Sequence, residues 1–311
     1  MIEEPVGDLP PDRPARPRVG TTWSTLSAST IGSVHVRDQL PLQDAVHTWS
    51  DQESGQAVVA VADGHGHKLH FRSDTGAALA VVSAVEEMRR LLRALADPAT
   101  RDDPDGQRAV ELAFQAGAAL VETWVAKVHH HLEAHPYSPD EVDAGAQDDP
   151  LRAYGSTILV AGAVGDTLVF LQLGDGDSVA VSTRGEASRP LPEDPDLDGL
   201  HTTSLCQAQP LDALRCAVVD AQVEDIGLVF LCSDGFGRSR VDADGWWRQT
   251  GEQLLDFSRT KGLGWVSDQL PEWLAEPALI GGDDTTMALL VRSDLGDGLR
   301  PDLVQTVPRA D

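Results

Sequence analysis

VVAVADGHGHK, residues 58–68, runs apolar for five residues and then turns into a carboxylate, two glycines and two histidines. The first half reads as a buried strand, since no polar residue interrupts its Val and Ala run. Such a strand fixes Asp63 rigidly at a sheet edge. Gly64 lets the backbone turn sharply, so that a carbonyl oxygen can face the same place. The device recurs in GLVFLCSDGFG, residues 227–237, whose strand ends at Asp234-Gly235. Gly282-Asp283-Asp284 precedes the apolar run TTMALLV, and Gln43-Asp44 precedes a strand beginning at Ala45. Asp44, Asp63, Asp234 and Asp283 thus all stand at strand ends.

Outward from these ends, strand-like runs cover residues 29–36, 45–49 and 58–62, and the periodicity then changes. Residues 75–95 and 108–132 are apolar at helical spacing, separated by Pro98, Pro104 and Gly106 and stopped by Pro136. Residues 137–152 are polar and turn-rich, which predicts a surface loop. TILVAGAV, DTLVFLQLG and SVAVST follow, with a hairpin signal at Gly165-Asp166, and predict an antiparallel meander. Helical stretches at 246–257 and 264–275 come after 227–237, and the final strand closes the series. This order predicts an α+β sandwich with helices covering sheets, and no 20–50-residue repeat occurs. Residues 1–20 read as a disordered Pro-rich arm, 21–292 as one domain and 293–311 as a flexible tail.

The chain's 311 residues suffice for a core of their own, and 50 acidic against 24 basic residues give a formal charge of −26 and a pI near 4.5. That balance opposes sequence-independent binding to nucleic acid or anionic lipid. Cys206, Cys216 and Cys232 form no C-x-x-C pair and cannot all pair within one chain, which argues against a disulfide scaffold and a four-thiolate zinc site. The amino terminus lacks the basic start and apolar run of a signal peptide, and no segment has membrane-spanning length. A soluble, cytoplasmic protein is the expectation.

Ionised aspartates converging in a partly dry place repel strongly unless a cation neutralises them. Carboxylates, a backbone carbonyl and water select hard ions, Mn²⁺ or Mg²⁺, over zinc. Two such ions sharing a water furnish a hydroxide and a clamp for a phosphoryl group.

QDA (43–45), ADGHG (62–66), YGST (154–157), LGDGD (173–177), CSDG (232–235) and GGDDTT (281–286), in that order, resemble the PP2C-type (PPM) metal-dependent protein phosphatases over about residues 25–292. SVHVRDQLPLQDA is similar to the bacterial branch whose first motif has a histidine followed by a Gln-Asp pair. The resemblance implies a four-layer αββα sandwich, two stacked antiparallel sheets flanked by helices. It implies hydrolysis of phosphoserine and phosphothreonine in proteins through a metal-bridging hydroxide, reversing a Ser/Thr kinase signal. By the same carry-over Asp63 bridges two ions with the Gly64 carbonyl on one of them. Asp44, Asp234 and Asp283 match the remaining ligands, and His65 matches the proton donor to the leaving oxygen. Asp175 matches a carboxylate holding a third ion in many bacterial members, but the family's partner aspartate, four residues beyond the SDG aspartate, is Arg238 here.

Many members place a phosphate-binding arginine five residues before the first-motif aspartate. This chain has Gln39 there, leaving Arg37 and Arg238 as candidates. Two alternatives stay open: a non-catalytic regulator of the same fold that binds a phosphoprotein or kinase, and a phosphatase of small phosphoesters. Elsewhere, His129, His130 and His131 are consecutive on a predicted helix and cannot all meet one ion. HLEAH lacks the HExxH order of zinc peptidases, so these histidines read as surface residues. Ser156 lacks a G-x-S-x-G elbow, and no G-K-[ST] follows DGHGHK, which sets aside a serine nucleophile and a P-loop.

Overall fold

The computed structural model describes residues 21–101, 106–143, 149–195, 202–240 and 245–296. The arm expected over 1–20 and the tail from 297 lie outside the described residues. The strands are β1 (Trp23–Thr30), β2 (Ala45–Asp51), β3 (Gln56–Ala62), β4 (Ile158–Val164), β5 (Thr167–Leu173), β6 (Asp177–Ser182), β7 (Ala187–Ser188), β8 (Arg215–Asp220), β9 (Ile226–Cys232) and β10 (Thr285–Arg292). The helices are α1 (Ser33–Asp38), α2 (Ser73–Ala96), α3 (Pro98–Arg101), α4 (Gln107–Ala134), α5 (Pro139–Asp143), α6 (Asp234–Arg238), α7 (Trp246–Thr260), α8 (Leu263–Gly281) and α9 (Ser293–Gly296).

Two five-stranded antiparallel sheets form, in the orders β1-β10-β9-β6-β7 and β2-β3-β4-β5-β8. Strand β3 shows why they stack. Its alternate residues Val58, Ala60 and Ala62 pack with α2 and α4 residues such as Met88, Leu92 and Trp124, while Ala57, Val59 and Val61 pack with Val229, Leu231, Ala288 and Leu290 of the other sheet. Both faces are covered, so all seven positions are buried and the run shows no polar alternation. Leu254, Leu255, Leu270 and Leu274 of α7 and α8 cover the outer face of the β1-β10-β9-β6-β7 sheet against Leu228, Phe230 and Leu289. The order is helices, sheet, sheet, helices, the sandwich that the motif series implied. Among the described residues no helix is long and apolar enough to cross a membrane, and all three cysteines are free.

Helix α2 approaches its neighbours closely at Gly76, where a Cβ would lie 1.9 Å from the Tyr154 carbonyl oxygen. Trp124 Nε1 donates to the Gly76 carbonyl at 3.0 Å, tying α4 to the same turn.

Three local readings change. Residues 29–36 do not continue as a strand: β1 ends at Thr30 and α1 starts at Ser33. The Gly32 N–H donates to Asp284 Oδ1 at 2.8 Å, and the helix stops where Gln39 turns left-handed at φ 57°. The expected three-strand meander holds only for β4 and β5. Gly174 (φ 115°) and Gly176 carry the chain across to the other sheet, where β6 pairs with β9. Gln172 clamps this crossing, its Nε2 donating to the Gly174 and Gly176 carbonyls at 3.2 and 2.6 Å. The loop expected over 137–152 contains α5. Past Arg292 the chain makes the turn α9, and the Ser293 N–H donates to the Thr22 carbonyl at 2.9 Å.

Candidate active site

Three of the four strand-end aspartates meet at one place. Asp63 after β3, Asp234 opening α6 after β9, Asp283 before β10 and Asp175 at the β5–β6 crossing line one open cavity of about 1030 Å³. Gly64, His65 and Arg238 line it too. Asp63 is gripped from β4's side: its N–H donates to Thr157 Oγ1 at 3.0 Å, and its carbonyl accepts the Thr157 N–H at 2.9 Å. Gly64 is obligatory here, because a Cβ would sit 2.6 Å from the Gln43 carbonyl oxygen and 2.7 Å from that of Ser73.

Asp44 does not line the cavity. It is buried behind it, its Oδ2 accepting the Ser233 hydroxyl at 2.7 Å, while Ser233 Oγ accepts the Thr286 N–H at 3.0 Å. Burial pushes Asp44 up to about 8, against the pull of hydrogen bonds from Ser233 and Thr286, with Asp284 and Asp283 adding repulsion. Asp63 opens onto the cavity, yet its carboxyl is held well above the carboxylate range by burial and by Asp44, Asp234 and Asp283. Burial and then Asp175 raise Asp234 to about 6, with Arg238 opposing.

These residues fit hard divalent cations. Asp234 Oδ1 is buried without a hydrogen-bond donor, and the oxygen-only set matches Mn²⁺ or Mg²⁺ in donor type. Among the described residues, no three His, Cys, Asp or Glu side chains form a ready-made metal cluster. The aspartates share the cavity without closing into one. Asp175 does not fit: its Oδ1 accepts the Thr202 hydroxyl at 2.7 Å and its Oδ2 accepts Arg238 Nη2 at 2.8 Å. Arg238 Nη1 reaches Asp234 Oδ2 at 2.7 Å, so one guanidinium bridges both carboxylates.

Arg37 is not brought to the cavity. It is exposed, with Nε and Nη2 donating to the two oxygens of Asp38 at 2.7 and 2.8 Å. His65 is at the cavity, with Nε2 2.7 Å from Ser204 Oγ and its ring 4.9 Å from that of His70. Burial, then His70, lowers His65 to about 4. His131 lies elsewhere, with Nδ1 2.9 Å from the Tyr154 hydroxyl and its ring stacked on His135.

Several site residues escaped sequence reasoning. Asp284, second of the GDD doublet, is 2% exposed and accepts the Gly32 and Gln43 N–H groups at 2.8 and 2.6 Å. His35 Nδ1 stands 3.0 Å from the same carboxylate, without hydrogen-bond alignment. Asp283 therefore faces the cavity while Asp284 fastens the segment before β2. The doublet itself was the available signal. Ser204 and Thr202 sit in a polar stretch without periodicity and carried none.

A family model described as protein phosphatase 2C matches residues 31–275. The chain belongs to the protein phosphatase 2C family. Its fold is similar to that of PppA, a key regulatory component of T6SS in Pseudomonas aeruginosa, at 18% identity and a TM-score of 0.51, covering 88% of this chain and 98% of that one. It is also similar to the S. agalactiae serine/threonine phosphatase, at 18% identity and a TM-score of 0.53, covering 86% and 99%. A bacterial serine phosphatase shares the fold at 13% identity and a TM-score of 0.52, covering 86% and 97%. No curated protein matches the chain in sequence. Within this protein phosphatase 2C, Arg238 stands where the resemblance implied an aspartate and Gln39 where it implied an arginine, and Arg37 is turned outward onto Asp38.

Proposed function

We propose that this protein phosphatase 2C hydrolyses phosphoserine and phosphothreonine in proteins, acting opposite a Ser/Thr kinase. The observation that carries the reading is the meeting of Asp63, Asp234 and Asp283 at rigid strand ends around one open cavity. Asp63, the Gly64 carbonyl, Asp234 and Asp283 would hold two Mn²⁺ or Mg²⁺ ions, with Asp44 as the buried carboxylate behind them. Bound there, the ions supply neutralisation of phosphoryl charge and an activated water. The remaining work falls to the chain. The β3 and β9 ends hold their aspartates in place before substrate arrives, which removes the cost of gathering like charges at the moment of reaction. Arg238 presents its remaining N–H groups at the cavity wall, where a phosphoryl oxygen can accept them.

His65 is the candidate donor of the proton that a departing serine oxygen needs. Ser204 fixes its ring, and a phosphate dianion entering beside it favours the protonated form.

The test is release of phosphate from a phosphothreonine peptide and from an aryl phosphate, with Mn²⁺, Mg²⁺ or EDTA. Turnover on both that needs a hard ion, and that Asp63→Ala and Asp234→Ala abolish in chains still folded by circular dichroism, is the expected result. Turnover indifferent to EDTA, or surviving in either variant, would overturn the reading. The Arg238 grip on Asp234 favours a second reading, a regulator that binds phosphoprotein without hydrolysing it. Peptide binding without phosphate release would select that reading, and release from the aryl phosphate alone would indicate a small-molecule phosphoesterase.

A further inference from the structure

We infer that Arg238 is a built-in cation that takes the place of an ion at Asp175, so that Asp175 ligates no metal in this chain and serves to position the guanidinium. The inference rests on the reading that Asp63, Asp234 and Asp283 hold hard cations, and it concerns where that ion set stops.

Both oxygens of Asp175 are committed, Oδ1 to the Thr202 hydroxyl at 2.7 Å and Oδ2 to Arg238 Nη2 at 2.8 Å. The same guanidinium spends Nη1 on Asp234 Oδ2 at 2.7 Å, leaving Oδ1 of Asp234 as the carboxylate oxygen without a donor. The planar fork suits this bridge, since its two terminal nitrogens reach two acceptors at once. An ion on Asp175 would have to expel Nη2 and then sit beside the guanidinium cation it had displaced. The arrangement is also walled. Asp175, Asp234 and Arg238 separate the aspartate cavity from a second one of about 650 Å³, whose lining includes Asp177 paired with Arg189, and Arg215, whose Nε lies 3.6 Å from Asp194 Oδ2.

The charge beside Asp234 therefore comes from the sequence. Its occupancy does not vary with the concentration of free metal. Arg238 lines both cavities, so its guanidinium stands at the border of the aspartate site.

The experiment counts bound Mn²⁺ by electron paramagnetic resonance titration in the full chain, in Asp175→Asn, in Arg238→Asp and in the double variant. Asp175→Asn should bind as many ions as the unmodified chain. Arg238→Asp should bind one more, and adding Asp175→Asn should remove the gain. A lower count in Asp175→Asn, or no gain in a folded Arg238→Asp, would overturn the inference. Should Arg238→Asp fail to fold, the comparison of Asp175→Asn with the unmodified chain still decides. A full chain that binds no Mn²⁺ refutes the cation reading of Asp63, Asp234 and Asp283, and in that event the gain in Arg238→Asp and its loss in the double variant decide the role of Arg238.

Discussion

Asp44→Asn should stabilise the protein in EDTA, by an amount that depends on pH. Asp44 is pushed up to about 8 in the fold, against about 3.9 in an unfolded chain. Between those values the folded state holds a proton that the unfolded state has released, so stability falls as pH rises through this window. The slope is about 1.4 kcal/mol per pH unit for a single group, and over roughly four units the ceiling is on the order of 5 kcal/mol. Local relaxation and coupling to Asp63 reduce it, and about 2–4 kcal/mol by pH 8 is the expected gain. Asparagine has no proton to exchange, while its carbonyl can still accept the Ser233 hydroxyl that Asp44 accepts at 2.7 Å. Any cost of the lost second oxygen is the same at every pH and appears as a constant offset. Urea unfolding of both proteins at pH 5, 6, 7 and 8 reads the difference directly. A difference that stays flat across this range, or that shrinks as pH rises, would refute the reasoning.

Two further outcomes follow from the geometry. His65→Gln should slow a phosphoserine peptide by a factor of about 10²–10³ while slowing an aryl phosphate less than tenfold, because only the poorer leaving group needs its proton supplied; equal losses on both would mean that His65 only supports the turn beside Ser204. Arg37→Ala should leave the KM for either substrate within about twofold, since Arg37 is exposed and spent on Asp38, and a tenfold rise would place Arg37 at the phosphate after all.

The parts of this fold that could be read from the sequence are those whose environment is set by neighbours on both sides. β3 and β9 are buried at every position, and their runs end visibly at Asp-Gly. α2 and α4 are long enough for their apolar stripes to be unmistakable. The segment SVHVRD alternates like a strand, and its helix depends on the Gly32 N–H meeting Asp284, 252 residues away, a contact that no local pattern encodes. β8 carries no clear signal because five of its six residues are half-buried and the sixth is exposed, which blurs the alternation. The aspartates of the site were legible as strand ends, and Arg238 as a departure. What Arg238 grips was not, since the bridge to Asp175 joins residues 63 apart through side chains alone.

The pairing of β1 with β10 has a bearing on how the molecule is made. The first described strand lies against the last, Trp23 opposite Arg292 and Thr30 opposite Thr285, and β10 separates β1 from β9. A ribosome releases β1 well before β10, so β1 must wait while residues 31–284 are made before its partner exists. Asp283 leaves the exit tunnel immediately ahead of that partner. A chain stopped short of Asp283 therefore lacks both β10 and one of the cavity's carboxylates. The same ordering leaves β1 and the β10-facing side of β9 as uncovered edges until β10 emerges, which is the interval when a chaperone holding the incomplete sheet has the most to protect.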